Sequence, residues 1–369
     1  MNDKFMGKTQ QTFFLLLRNA LGNNEPLPTT LTDREWHEVW KMSYKQALIG
    51  VVFDGICKLP KDQSPNKQFI LKCFSVVRQI EQSNRKLNHA TVKTTEQFAK
   101  EGFKSVILKG QGNSVLYPEP LHRTPGDIDI WVDGGRDRIM KYVRNYFPNA
   151  GARYHHVDFP ILNGIEVEVH FTPSWLSQWH DNMILQRWFK ERAKEQYTHF
   201  VNLPEDAGSI AVPTNDFNRI FLLLHIYRHF FDEGIGIRQL VDYVLLLRQG
   251  FTEKEREETV SMLSKLHMIR FTSAIMYILK LIFKLEDKYM LIEPNKEQGE
   301  FVLNEIIRTG NFGYYNKNIS NKADKAFKYY YSKWKYKFRF IKLYPRETLW
   351  GNVFWVWQYF WRIYKGYKK

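Results

Sequence analysis

The chain has 369 residues, enough for two or three domains and a sizeable core. Its 44% hydrophobic and 25% charged residues are globular values, which exclude a disordered or collagen-like chain, and no apolar run approaches the roughly 20 residues of a membrane-spanning helix. The formal charge of +15 favours anionic partners: nucleic acid, nucleotides or an acidic membrane surface.

The two cysteines, Cys57 and Cys73, lie in apolar helical stretches and read as buried thiols of a reducing compartment. The N-terminal stretch lacks the shape of a signal peptide, because its apolar core, Phe13 to Leu17, is short. The expected compartment is the cytoplasm.

Residues 8–22 carry apolar side chains at helical spacing. Thr32 or Asp33 is placed to cap a helix running through Trp36, Val39, Trp40 and Tyr44 to Leu59. After a loop from Pro60 to Pro65, residues 66–100 read as one long helix. A helical region over 1–100 is expected to pack on the catalytic domain C-terminal to it.

Residues 103–132 are the informative stretch. Val106-Ile107-Leu108 is a short strand ending at Lys109-Gly110, and a short helix over 110–117 comes next. The N-terminus of that helix offers N–H groups to a phosphate. A Pro-interrupted loop carries His122 and Arg123. Asp127-Ile128-Asp129-Ile130-Trp131-Val132 alternates as a strand, so Asp127 and Asp129 share one face. Gly126 before them lets the backbone approach a ligand. Two adjacent carboxylates repel unless a cation sits between them, and Mg²⁺ accepts one or two carboxylates plus phosphate oxygens.

A helix over 136–147 leads to strands at 152–158 and 165–171, read as a hairpin around Leu162-Asn163-Gly164. In the second strand Glu166, Glu168 and His170 share a face. If it lies beside the Asp127 strand, a third carboxylate joins the site; Glu166 is the substitute if Glu168 faces away.

Leu108-Lys109-Gly110, Leu121-His122-Arg123, Gly126 to Val132 and Glu168-Val169-His170 together resemble the bacterial, largely uncharacterised nucleotidyltransferases of the DNA polymerase β-type superfamily. The resemblance covers roughly residues 100–250. It implies an α+β fold, a small mixed β-sheet core flanked by N-terminal and C-terminal helical regions. It also implies that Asp127, Asp129 and Glu168 hold Mg²⁺ (or Mn²⁺) and that the turn at Lys109, Gly110 and Gln111 holds an NTP, with Arg123 and Gly126 beside it. The superfamily's usual Gly-Ser is here Gly110-Gln111.

The expected layout is a catalytic domain over 101–205, a C-terminal helical domain over 206–310 and a basic aromatic tail over 311–369. Trp175, Trp179, Trp188 and Phe189 lie in a helical connection and read as packing. Residues 217–231 are a clear helix, with further helices near 237, 252–266, 268–285 and 295–308. His225 and His229, spaced i and i+4, have no Glu in the zinc-protease position and read as cleft residues with Arg238 and Asp242. From Gly313 lysines alternate with aromatics. The run Lys325 to Lys342 reads as an RNA-tracking surface or a packed helix, and Trp350 to Tyr364 has membrane-interface character.

The implied reaction is transfer of an NMP from an NTP to an acceptor hydroxyl by a two-metal mechanism. The acceptor, be it tRNA, a protein or a small molecule, is not legible. Two alternatives remain: a metal-dependent glycosyltransferase using a nucleotide-sugar through Asp127-x-Asp129, and a catalytically silent nucleotide- or RNA-binding protein.

Overall fold

A computed structural model describes residues 7–159, 164–311 and 334–367. The order begins with helices α1 (Lys8–Ala20), α2 (Asp33–Lys45), α3 (Ile49–Cys57) and α4 (Lys67–Lys100). The helix expected from 33 to 59 is two helices. The chain breaks at Gln46–Leu48, where Ala47 takes a positive φ of 54°. The break has a packing reason. α2 buries one face, whereas α3 buries nearly every residue. Gly50 of α3 lies against the loop before β2, where a Cβ would collide with the carbonyl oxygen of His122. Cys73 is buried, but Cys57, at the end of α3, is exposed, contrary to expectation.

The sheet comes next: β1 (Ser105–Leu108), α5 (Gly110–Ser114), β2 (Ile128–Val132), α6 (Gly135–Tyr146), β3 (His156–Asp158) and β4 (Val167–His170). Its strand order is β1-β2-β4-β3. β2 runs antiparallel to β1 and parallel to β4, and β3 closes the edge antiparallel to β4. The sheet is mixed, and the fold is α+β. The turn residues 162 and 163 lie outside the described residues. After α7 (Trp179–Gln196), a two-stranded ribbon pairs β5 (Phe200–Asn202) with β6 (Ser209–Ala211).

The second helical block comprises α8 (Asn215–Asp232), α9 (Ile237–Leu247), α10 (Glu253–Lys265), α11 (Ile269–Phe283) and α12 (Lys296–Thr309). Its apolar core is continuous with that of α1 to α4. Polar ties also join the two blocks: Gln46 Oε1 accepts from the backbone N of Ile237 at 2.9 Å, and Arg248 donates to the carbonyl of Leu21 at 3.1 Å. The helical regions at either end of the sequence are therefore one helical body in space.

The strands alternate between two cores. Ile128, Ile130, Val132, Val167 and Val169 pack with Phe98 and Ile139, burying one sheet face under α4 and α6. Val106, Leu108 and Trp131 belong to the larger helical core. Period-2 alternation therefore turns Asp129, Glu168 and His170 toward α8 and α9.

Much of the lysine-aromatic run, residues 312–333, lies outside the described residues. Beyond it are a short helix α13 (residues 334–338) and α14 (Pro345–Tyr364). Tyr336 and Phe340 are buried, whereas Trp334 is 48% exposed. α14 turns Phe354 inward against Tyr154 and Trp175. Its other side leaves Leu349, Val353, Val356, Phe360 and Ile363 exposed at alternating steps of four and three.

Candidate nucleotide and metal site

Register builds the site. In the parallel pair β2–β4, Asp129 stands opposite Glu168. Asp127 directly precedes β2, and one carboxylate oxygen from each of Asp127, Asp129 and Glu168 lies within 4.8 Å of the others. Glu168, and not Glu166, belongs to this group.

Asp129 is 2% exposed and held from two sides. The Lys109 ammonium lies 2.8 Å from Oδ2 and His170 Nε2 2.9 Å from Oδ1. Burial works to raise the Asp129 pKa, but Lys109 and His170 outweigh it and hold the carboxyl well below its usual range. Asp127 goes the other way: the charge on Asp129, followed by burial, raises it. Burial also acts to raise Glu168, yet the hydrogen bond from His170 and the nearby His156 take it down to about 2. Burial would lower His170, but Asp129 and Glu168 raise it. Like charges of different basicity thus converge on one spot, flanked by two cationic groups.

Lys109 ends β1 with φ 56° and ψ −140°, a backbone conformation that costs energy for any residue with a side chain. That turn throws its side chain back onto Asp129 and begins α5 at Gly110. Lys109 was expected on the triphosphate; here its charge is engaged by a carboxylate. Gln111, expected at the phosphates, turns its buried amide away to donate to Asn88 on α4.

The cleft above the carboxylates is roofed by α8 and α9. Lys109, Gly110, Gly126, Asp127 and Asp129 form its floor. Leu222, His225 and Ile226 of α8 and Arg238, Gln239 and Asp242 of α9 form the roof. A Cβ on Gly126 would have only Arg238 as a neighbour, at 4.0 Å, so glycine keeps this wall open.

Arg123 lines the cleft but is 4% exposed, and its Nε and Nη2 donate to the two carboxylate oxygens of Asp242 at 2.9 and 2.8 Å. Tyr117 donates to the same carboxylate at 2.6 Å. The Arg123 charge expected on the phosphates is thus matched by Asp242, and the pair pins the loop before β2 to α9. Arg238 donates to the carbonyl of Thr124 at 2.9 Å. Burial lowers the Arg238 pKa, with Arg123 adding to it.

His225 faces the cleft, and burial followed by Lys109 pushes its pKa well down. His229 stacks edge-on to His225 at 4.4 Å and has Glu233 as a further neighbour at 3.5 Å. The pair joins no wider metal-binding group among the described residues.

Reading the sequence missed His155 and His156, which stand beside Glu168 and His170. The available signal was the hairpin, since antiparallel pairing places His156 opposite His170. Trp175, 4.1 Å from the His155 ring, packs behind them with Arg228 over its face. Trp188 stacks on Phe217, at a centroid distance of 4.8 Å.

A mixed sheet that presents three carboxylates to a helix-roofed cleft, beside a strained Lys-Gly turn, belongs to the nucleotidyltransferase class of architecture. The chain belongs to the family described as uncharacterised nucleotidyltransferase, matched over residues 32–284. That span takes in α2 through α11, the greater part of both helical blocks, and leaves α1 and α12 outside it. Among solved structures, an antigenic nucleotidyltransferase-like protein from Paracoccidioides brasiliensis is similar at 14% identity and a TM-score of 0.31. The match covers 55% of this chain and 94% of that one. No curated protein matches.

Proposed function

We propose that the chain transfers a nucleotidyl group from an NTP to an acceptor hydroxyl in the cleft between the sheet and α8–α9. The observation that carries this reading is the convergence of Asp127, Asp129 and Glu168 beside the Lys109-Gly110 turn. Three carboxylate donors at that spacing fit hard divalent cations such as Mg²⁺ or Mn²⁺. Bound there, the ions would supply Lewis-acid polarisation of the phosphates and activation of the acceptor hydroxyl.

The chain's own residues do the positioning. His170 and Lys109 hold Asp129 ionised and fixed in rotamer. Glu168 is kept ionised by His170 and His156. With Lys109 engaged by Asp129, Arg238 on the cleft roof gives the positive charge a triphosphate requires. In the reaction the acceptor oxygen bonds to the α-phosphorus, the bond to the leaving pyrophosphate breaks, and the hydroxyl proton passes to solvent.

Incubation with each labelled NTP, Mg²⁺ and a cell extract tests this. The expected result is label on one class of molecule, lost in Asp127→Asn. No label with any NTP, alongside measurable NTP binding, would favour the silent reading. One observation favours that second reading: the Lys109 ammonium already neutralises Asp129 from within the chain. The nucleotide-sugar glycosyltransferase alternative is separated by the same assay, since it would transfer sugar and not NMP.

No helix among the described residues is long and apolar enough to cross a membrane. A cytoplasmic site of action, and contact of the basic aromatic C-terminal region with RNA or a membrane surface, remain parts of this proposal.

A further inference from the structure

The face of β3 and β4 next to the carboxylates carries an imidazole cluster that the transfer reaction does not use as ligands. His156 and His170 are direct cross-strand partners in the antiparallel pair. Glu168 lies two residues before His170 on the same face. His155, just before β3, folds its ring onto the same spot, anchored by the Phe171 N–H donating to its carbonyl at 2.7 Å. Each of the three rings is less than 9% exposed.

The donor atoms face one another. His155 Nε2 is 2.9 Å from His156 Nδ1. Oε2 of Glu168 is 3.1 Å from His156 Nδ1 and 3.5 Å from His170 Nε2. One donor atom from each of these four residues lies within 4.8 Å of every other. A tetrahedral ion with bonds of about 2.0–2.1 Å sets its donors about 3.3–3.4 Å apart, so the spacing is that of a coordination shell.

Hydrogen bonding within the protein accounts poorly for the cluster. If His156 Nδ1 donates to Glu168, it has no lone pair for His155, and His155 Nε2 must meet it as a bare lone pair. The proton of His155 then sits on Nδ1, which is buried and has no partner among the described residues. His170 Nδ1 is buried in the same way, and His156 Nε2, also without a hydrogen bond, has only the Asp158 carboxylate nearby, at 3.6 Å. Three imidazoles withdrawn from water with so few hydrogen bonds are costly to bury unless something else binds them.

We propose that His155, His156, His170 and Glu168 form a second metal site, selective for a borderline divalent ion of the Zn²⁺ class, that shares Glu168 with the three-carboxylate site; on binding, His170 Nε2 gives up its proton, and with it the hydrogen bond to Asp129, and turns its lone pair to the ion. Imidazole nitrogens prefer such ions, whereas Mg²⁺ takes oxygens. Because one carboxylate serves both sites, an ion in one changes the affinity of the other, and the coupling is reciprocal.

The test uses the full chain without a histidine tag, stripped with a chelator. Zn²⁺ is titrated by calorimetry, and Co²⁺ by its visible ligand-field absorption. One equivalent should bind, and Co²⁺ should show nitrogen-rich four-coordinate bands. His155→Gln and His156→Gln, made separately, should each weaken binding at least about tenfold while keeping the metal-free melting temperature. Asp127→Asn and His229→Gln should leave it in place.

Absence of stoichiometric uptake would overturn the site. So would an Asp127→Asn loss as large as that of His156→Gln, which would put the ion among the carboxylates. A His229→Gln loss of that size would move the ion to α8 and also overturn it. Binding is read without nucleotide, so the outcome is independent of whether the chain transfers a nucleotidyl group.

Discussion

Asp129 and Glu168 stand opposite each other in the parallel register of β2 and β4, and His170 binds both. Asp129 is clamped between Lys109 and His170, whereas Asp127, one pleat away, is repelled by it. The two aspartates of one motif therefore differ physically.

Asp127→Asn should abolish labelling and leave stability unchanged or raised by about 1 kcal/mol, because it removes a like-charge repulsion. Asp129→Asn should also abolish labelling but cost on the order of 3 kcal/mol, since it strands Lys109 and His170 in a buried place. Urea denaturation of both variants without metal checks this. Equal stabilities would show that the Lys109–Asp129 pair contributes nothing.

Arg123→Ala should lower stability by about 3–5 kcal/mol, because it leaves Asp242 buried without its counter-charge. Removing both partners in Arg123→Ala/Asp242→Ala should recover part of that loss. A double-mutant cycle measures the coupling. Loss of NTP affinity without loss of stability would instead return Arg123 to the phosphates.

Glu347 of α14 carries a carboxyl that burial raises from 4.5 to about 7, despite the nearby Lys337 ammonium and a hydrogen bond from Tyr227. A raised acid binds its proton more tightly folded than unfolded. Its stability contribution is therefore fully present below about pH 4.5 and is lost as pH rises toward and through 7. Glu347→Gln should remove this component. The difference in melting temperature between wild type and variant should widen in favour of the variant from about pH 5 upward; a flat difference would mean Glu347 titrates normally.

In the C-terminal region Lys337 is 4% exposed and paired with Asp232 at 2.5 Å, so it is a structural cation and does not belong to a polymer-tracking surface. Lys337→Ser should cost about 3 kcal/mol. Phe340→Ala, at a fully buried ring, should cost about 3–5 kcal/mol, and Trp334→Ala less, since that ring is half exposed. Thermal melts of the three variants give the ranking, and a Trp334→Ala cost equal to that of Phe340→Ala would contradict it.

The proposed membrane-surface contact is expected at the exposed stripe of α14, because Val353 and Phe360 offer apolar contact and no phosphate donors. Val353→Asp/Phe360→Asp should reduce co-sedimentation with phosphatidylglycerol vesicles severalfold and leave tRNA binding unchanged. Equal vesicle binding by the variant would remove the stripe from consideration.

What the sequence determined by itself is whatever a short period encodes. Alternation at spacing two was enough to put Asp127 with Asp129 and Glu168 with His170, because strand pleating fixes which side chains share a face. The 3.6-residue period was enough to mark α4, α8 and α11, and the Lys-Gly break marked the end of β1. What only the tertiary structure decided are the partnerships between distant residues. Arg123 found Asp242 across 119 positions, and Lys109 found Asp129 across a turn whose positive φ no local pattern signals. His155 and His156 joined Glu168 only through the β3–β4 register. Phe340 became core while Trp334, just as aromatic, did not. The physical reason is common to all four: a charge or a ring shows its chemistry in sequence, but which opposite charge compensates it, and which surface covers it, is settled by the packing of elements far apart along the chain.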